Sequence, residues 1–236
     1  MLLDESRTQT ELRALLWDMG GPLIDEEAMT EQWMQALRET YRVAVSRELE
    51  PEKLRDAMET AVESYAPFAF RAALWQLCAD DEELYQRMKR AFRDLVGPYS
   101  DELRPGIREL LSELAERIPM GIVANQGRGL EERLERIGIR HCFQTVNGSD
   151  DVHLWKPDSR LFERALNSLG VRPENTVMIG DRQDNDIVPA KMMGMRAVLF
   201  KTGTHRDQRV RYPEEKPDWI VQSVEELRQL LFSLIE

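Results

Sequence analysis

Cysteine is scarce in this sequence. Two occur among 236 residues, Cys78 and Cys142. They match no metal-ligand or redox spacing, so no disulfide framework is expected, and both read as reduced, partly buried thiols. Long apolar runs are missing as well. No stretch approaches the roughly 20 residues that a bilayer-spanning helix needs. Positive charge is in deficit: 32 Lys and Arg stand against 43 Asp and Glu, a formal net charge of −11. That sign leaves no electrostatic footprint for nucleic acid or an anionic membrane. An anionic ligand would have to be held by local cations, a metal or backbone amides, against an unfavourable overall field. Internal repeats and low-complexity tracts do not occur. Residues 1–10 are acidic and polar where a secretory leader would be basic and then apolar, so a cytoplasmic protein is expected.

What is present reads as an ordinary globular chain, 42% hydrophobic and 32% charged, long enough for one large α/β domain with an insert or for two small domains. A short apolar run, Ala14 to Trp17, ends in Asp18-Met19-Gly20-Gly21-Pro22. Bounded by Gly and Pro, it reads as a buried strand followed by a turn.

From about 26 to 100 only helices are predicted. Met29, Trp33, Leu37 and Tyr41 recur at helical spacing, as do Leu54, Met58, Ala61, Val62 and Tyr65 after Pro51. Leu84, Met88, Ala91, Phe92 and Leu95 follow Asp80, whose partner Glu83 suggests a capping box. A shorter helix carrying Phe68, Ala72 and Leu77 lies between them.

Beyond residue 100 strands and helices alternate. Strands are predicted at Met120–Ala124, Phe143–Val146, Thr176–Ile179, Ala197–Phe200 and Trp219–Val221. Helices carry Ile107 to Leu114, Leu130 to Ile137, and Leu161 to Leu169 with Asp158 as N-cap. Ser223 and Glu226 cap the last helix. This alternation predicts an α/β fold: a Rossmann-like parallel sheet with helices on both faces and a helical bundle inserted after the first strand. The core domain is expected at 1–25 and 101–236, the inserted bundle at 26–100. Ligands of such sheets bind beyond the carboxyl ends of the strands. Asp18, Asn125, Lys156 and Asp181 all fall at or just past predicted strand ends, on one rim.

In order and spacing these motifs resemble the haloacid dehalogenase superfamily, over nearly the whole chain. The first motif, a strand followed by Asp-x-Asp-Gly-Thr, is matched by Asp18-Met19-Gly20-Gly21-Pro22. The second, a strand ending in Thr or Ser and often followed by Asn, is matched by Ala124-Asn125. The third is Lys156-Pro157-Asp158. The fourth is Gly180-Asp181 with Asn185-Asp186 after it. The helical insert is similar to the superfamily's C1-type cap, and the whole to its subfamily I phosphatase-like branch.

The resemblance implies a magnesium-dependent phosphatase of a small phosphorylated metabolite. Asp18 would be the nucleophile of an aspartyl-phosphate. Lys156 would bridge it to the phosphoryl group. Mg2+ would be held by Asp18, Asp181, Asp186 and the carbonyl of Gly20. The amides of Met19, Gly20 and Asn125 or Gln126 would cradle the phosphate. Asp184 is expected to be solvated.

Three departures bear on activity. The acid–base Asp of motif one is Gly20, its Thr is Pro22, and the hydroxyl of motif two is Ala124. Glu26, Glu27 and His153 are candidate replacement acids, although a structural or solvated role suits each. The alternative reading is a catalytically impaired phosphate- or partner-binding protein. Carbon–halogen or carbon–phosphorus cleavage is a third, for which Lys53 and Lys89 would be the cap lysines to consider. The pattern leaves the oligomeric state open.

Overall fold

In the computed structural model of the protein, residues 11–97 and 100–236 are described. Positions 1–10 of the expected core domain and 98–99 of the expected bundle lie outside them. The described strands are β1 (Ala14–Trp17), β2 (Met120–Ala124), β3 (Thr145–Gly148), β4 (Thr176–Gly180), β5 (Arg196–Phe200) and β6 (Trp219–Val221). They form one parallel sheet in the order β3-β2-β1-β4-β5-β6. The order reverses between β1 and β4, where Trp17 pairs with Ile179. A crevice beyond the carboxyl ends of the strands is the usual ligand position at such a switch point.

All four residues of β1 are buried, as a strand covered on both faces requires. Leu15 and Trp17 enter one apolar cluster, and Leu16 enters a second. The two clusters lie on opposite faces because successive side chains of a strand alternate. Burying a side chain of this kind contributes roughly 1.5–3 kcal/mol.

The insertion holds α1 (Glu27–Val45), α2 (Pro51–Glu63), α3 (Ala69–Leu77) and α4 (Glu82–Leu95). The core helices are α5 (Ile107–Ala115), α6 (Leu130–Arg136), α7 (Ser149–Val152), α8 (Ser159–Leu169), α9 (Val188–Met192) and α10 (Val224–Ile235). Residues of α5, α6 and α10 fill the first cluster, and those of α8 and α9 the second.

Three local expectations shift. The cap of α4 is Asp81, which accepts the Leu84 N–H at 2.9 Å; Asp80 stands one residue too early, in a left-handed conformation beside Ala79. Phe68 precedes α3 and is exposed, with the Arg71 guanidinium 4.6 Å from its ring. Strand β3 begins at Thr145, not Phe143, because a 3-10 turn at Arg140–Cys142 delays it and turns Phe143 into the core.

The chain divides into two compact units. One takes the chain up to Ile24, Glu102–Thr202 and Val210–Glu236; the other takes Asp25–Asp101 and Gly203–Arg209. Residues 203–209, expected in the core, therefore group with the helices. Tyr65 donates its hydroxyl to the Arg209 carbonyl at 2.5 Å, the Thr30 and Thr204 hydroxyls lie 3.3 Å apart, and Arg209 pairs with Glu63 at 3.1 Å. No helix among the described residues is long and apolar enough to cross a membrane.

Candidate active site

Asp18 follows β1 directly, and its N–H donates to the Ile179 carbonyl of β4 at 2.9 Å. The chain then turns sharply. Leu23 and Ile24 both donate to the Met19 carbonyl, and Arg104 Nε donates to the Gly21 carbonyl at 2.9 Å. Gly21 has a φ of 77°, and a Cβ there would stand 2.7 Å from Asp181 Cγ. Only glycine combines that conformation with that approach.

Asp181 follows β4. A single π-helical turn, Gln183–Ile187, then carries Asp186. Such turns disturb regular hydrogen bonding and cluster at functional sites. The Asp186 side chain folds back over Gly180, where a Cβ would lie 2.3 Å from its own Cβ. Asp186 Oδ2 accepts the Arg182 N–H at 3.0 Å.

Lys156 reaches this group from the loop between α7 and α8. Its Nζ lies 2.7 Å from Asp18 Oδ1 and 2.5 Å from Asp186 Oδ1. Asp18, Lys156, Asp181 and Asp186 are all buried. Oxygens of the three carboxylates lie within 4.8 Å of one another. Burial pushes the Asp186 carboxyl up to about 7; Lys156 pulls against that shift and the Asp18 charge adds to it. Burial alone would lower the Lys156 ammonium, but Asp18 and Asp186 outweigh it and hold the ammonium above its ordinary value.

Three buried carboxylates thus face one another in a desolvated place, with the Lys156 ammonium between two of them and the Arg182 guanidinium acting on Asp181 and Asp186. Converging hard oxygen donors of this kind suit a hard divalent cation such as Mg2+. The residues present therefore fit the metal that the motifs imply.

Asp18, Lys156, Asp181 and Asp186 thus come together although the last three stand more than a hundred residues beyond Asp18. Other expected residues have partners that sequence reasoning missed. The Asn125 carboxamide accepts the Lys156 N–H at 2.7 Å and donates to the Lys156 carbonyl at 3.0 Å. The Gln126 N–H, expected at a phosphate, donates instead to Ser149 Oγ at 3.0 Å, because the buried Ser149 hydroxyl sits against that peptide. The Gln126 side chain accepts from Arg133 at 2.6 Å. Asp184, expected in solvent, forms a half-buried pair with Arg182 at 2.6 Å. His153 is exposed, and Glu26 and Glu27 belong to the helical unit. Lys53 and Lys89 lie over the rings of Tyr41 and Tyr85 in that unit, 5.3 and 5.7 Å from their centroids. Glycines inside the first and fourth motifs were the one legible signal of the close approaches at Gly21 and Gly180.

The family model described as "Haloacid dehalogenase-like hydrolase" matches residues 15–200, from β1 through β5. The chain belongs to this family. The haloacid dehalogenase-like resemblance read from four motifs is thereby shown, and with it a hydrolase. Glyceraldehyde 3-phosphate phosphatase of Methanopyrus kandleri is 28% identical over 234 residues, covering 94% of this chain and 98% of that protein. Phosphoglycolate phosphatase of Photorhabdus laumondii subsp. laumondii is 26% identical over 225 residues, covering 94% and 93%. Among solved structures of haloacid dehalogenase-like proteins, the hydrolase YfnB of Bacillus subtilis, described with bound magnesium, is similar at a TM-score of 0.66 and 20% identity, covering 94% of this chain and 99% of that one. At that identity the likeness speaks for the fold alone.

Proposed function

We propose that this hydrolase is a magnesium-dependent phosphatase of a small phosphorylated metabolite, working through an aspartyl-phosphate on Asp18. One observation carries the reading: the Lys156 ammonium stands within hydrogen-bond reach of both Asp18 and Asp186, inside a buried cluster of three carboxylates. Two relatives named for different small phosphate esters support the substrate class.

An Asp18 oxygen attacks phosphorus, and the bond from phosphorus to the leaving oxygen breaks, with the electron pair leaving on that oxygen. Water then attacks the phosphoryl group, the bond to Asp18 breaks, and inorganic phosphate departs. Lys156 offsets the charge that gathers between the attacking carboxylate and the phosphoryl oxygens. The amides of Met19, Gly20 and Asn125 are read as the phosphate cradle; that of Gln126 is engaged by Ser149. Magnesium held by Asp18, Asp181, Asp186 and the Gly20 carbonyl would reduce the repulsion between the two anions.

Gly20 has no side chain to protonate the leaving oxygen or to activate water. Positioned acid–base catalysis contributes about 10²–10⁴-fold, and its absence falls hardest on poor leaving groups. Activated esters such as p-nitrophenyl phosphate or acyl phosphates should therefore turn over faster than alkyl phosphates. The test is a panel of these esters with wild type, Asp18→Asn and Gly20→Asp. Asp18→Asn should abolish turnover, and Gly20→Asp should raise the alkyl phosphate rate by about 10²-fold or more. Equal rates on alkyl and aryl esters in wild type would refute this account of Gly20.

Gly20 and Ala124 together favour one other reading, a phosphate- or partner-binding protein that keeps the fold. It would bind magnesium and beryllofluoride at Asp18 and turn over none of the panel.

A further inference from the structure

We propose that Asn125 is a positioning residue for Lys156: its carboxamide grips the Lys156 backbone from the end of β2 and so sets where the ammonium stands. The proposal rests on the reading that Lys156 serves phosphoryl transfer at Asp18.

Lys156 lies in neither helix nor strand. Its flexible four-carbon stem can place the ammonium in many positions from one backbone. Two salt bridges of 2.7 and 2.5 Å therefore need the backbone itself to be held. Asn125 holds it at both polar atoms of the same residue, accepting from the N–H at 2.7 Å and donating to the carbonyl at 3.0 Å. One planar amide bonded twice to one residue restrains both displacement and rotation of that backbone.

The neighbouring pair repeats the arrangement in the opposite direction. Ser149 Oγ accepts the Gln126 N–H at 3.0 Å and lies 3.1 Å from the Gln126 carbonyl, to which it donates; the Asp150 N–H donates to that carbonyl at 3.2 Å. Each segment thus sends one side chain onto the other's backbone. The loop from Ser149 to Lys156 is fastened at both ends to two consecutive residues after β2. Asn125 itself is exposed, so its role is not explained by core packing. Its oxygen and one amide hydrogen are committed to Lys156, which sets this side-chain role apart from the backbone role in a phosphate cradle.

The deciding experiment is a double-mutant cycle of Asn125→Ala and Lys156→Gln in the full chain with magnesium. It is read by kcat/KM on p-nitrophenyl phosphate and by the Kd of inorganic phosphate, which needs no turnover. Asn125→Ala should lower kcat/KM by about 10²-fold, the usual effect of displacing a reacting group by an ångström. In the Lys156→Gln background the same change should cost almost nothing, because the group it positions is gone. Asn125→Ser, which keeps a hydroxyl near the Lys156 N–H, should recover part of the loss, and it serves in the cycle if the alanine variant does not fold. A full additional loss in the Lys156→Gln background, in rate or in phosphate affinity, would mean that Asn125 acts on substrate directly or through general stability, and would overturn the proposal. If Lys156→Gln alone changed neither rate nor phosphate affinity, the reading of Lys156 in phosphoryl transfer would fail instead.

Discussion

Asp186 is fully buried and carries a sharp electrostatic conflict. Its carboxyl is pushed from 3.8 up to about 7, first by burial and then by Asp18, with Lys156 opposing. The folded state therefore keeps a proton that the unfolded chain has released across that range. The stabilising contribution is complete below about 3.8 and is lost as pH rises towards 7. Lys156 does not disturb this window, because its raised value lies above 10.5 and its contribution stays constant until then. A magnesium ion bound through Asp186 would have to displace that proton in mildly acid solution but would meet a carboxylate above neutrality. The gain in Tm from adding magnesium to EDTA-treated protein should be larger at pH 8 than at pH 5. Thermal melts at unit pH steps with and without the metal check this, and a gain that does not vary with pH would remove Asp186 from the metal set. Asp186, like Asp18 and Asp181, was picked out in the sequence by the motif it belongs to, and its burial beside the other two is what the structure adds. The approach of Lys156 to Asp18 was legible as a shared rim, and its contact with Asp186 was not legible at all.

At the scale of elements, the turn after β4 shows how a small residue makes room for a charged one. Asp186 occupies the space that a side chain on Gly180 would need. Gly180→Ala should move the π-helical turn, destabilise the protein by about 1–3 kcal/mol as overpacking does, and weaken the magnesium-induced gain in Tm. Urea unfolding and metal titration measure the two effects. A normal magnesium response in a destabilised variant would separate the packing of Gly180 from the site. Strands β1 and β2 begin and end where the apolar runs do, because both faces of these central strands are buried and polar residues mark the exits. The π-helical turn was not legible, since five residues carry no periodicity that distinguishes it from a loop. The cap of α4 was misplaced by one residue for a related reason. Asp80 and Asp81 have the same chemistry, and only the backbone conformation of Asp80 decides which one faces the Leu84 amide.

For the molecule as a whole, the net charge of −11 opposes the approach of an anionic ester. Salt screens that repulsion beyond a Debye length of about 10 Å at 0.1 M. Raising ionic strength with a non-competing salt should lower KM while leaving kcat nearly unchanged. A rise in KM would show that the local field at the rim is already attractive. The helical unit also depends on residues far from it in sequence. Tyr65→Phe, which removes the bond to the Arg209 carbonyl, should speed amide exchange at 208–211 without changing exchange in β1 or β4, as mass spectrometry of the exchanged peptides would reveal. The sequence by itself determined the family, the parallel sheet and the identity of the buried charged residues. Apolar runs, Gly and Pro punctuation, and carboxylates at strand ends are local features that survive without coordinates. Tertiary structure alone decided the 2.7 and 2.5 Å contacts of Lys156, the capture of Gln126 by Ser149 and the grip of Asn125 on a backbone 31 residues away. A hydrogen bond depends on distance and direction between groups brought together by the whole fold, and no periodicity along the chain records either.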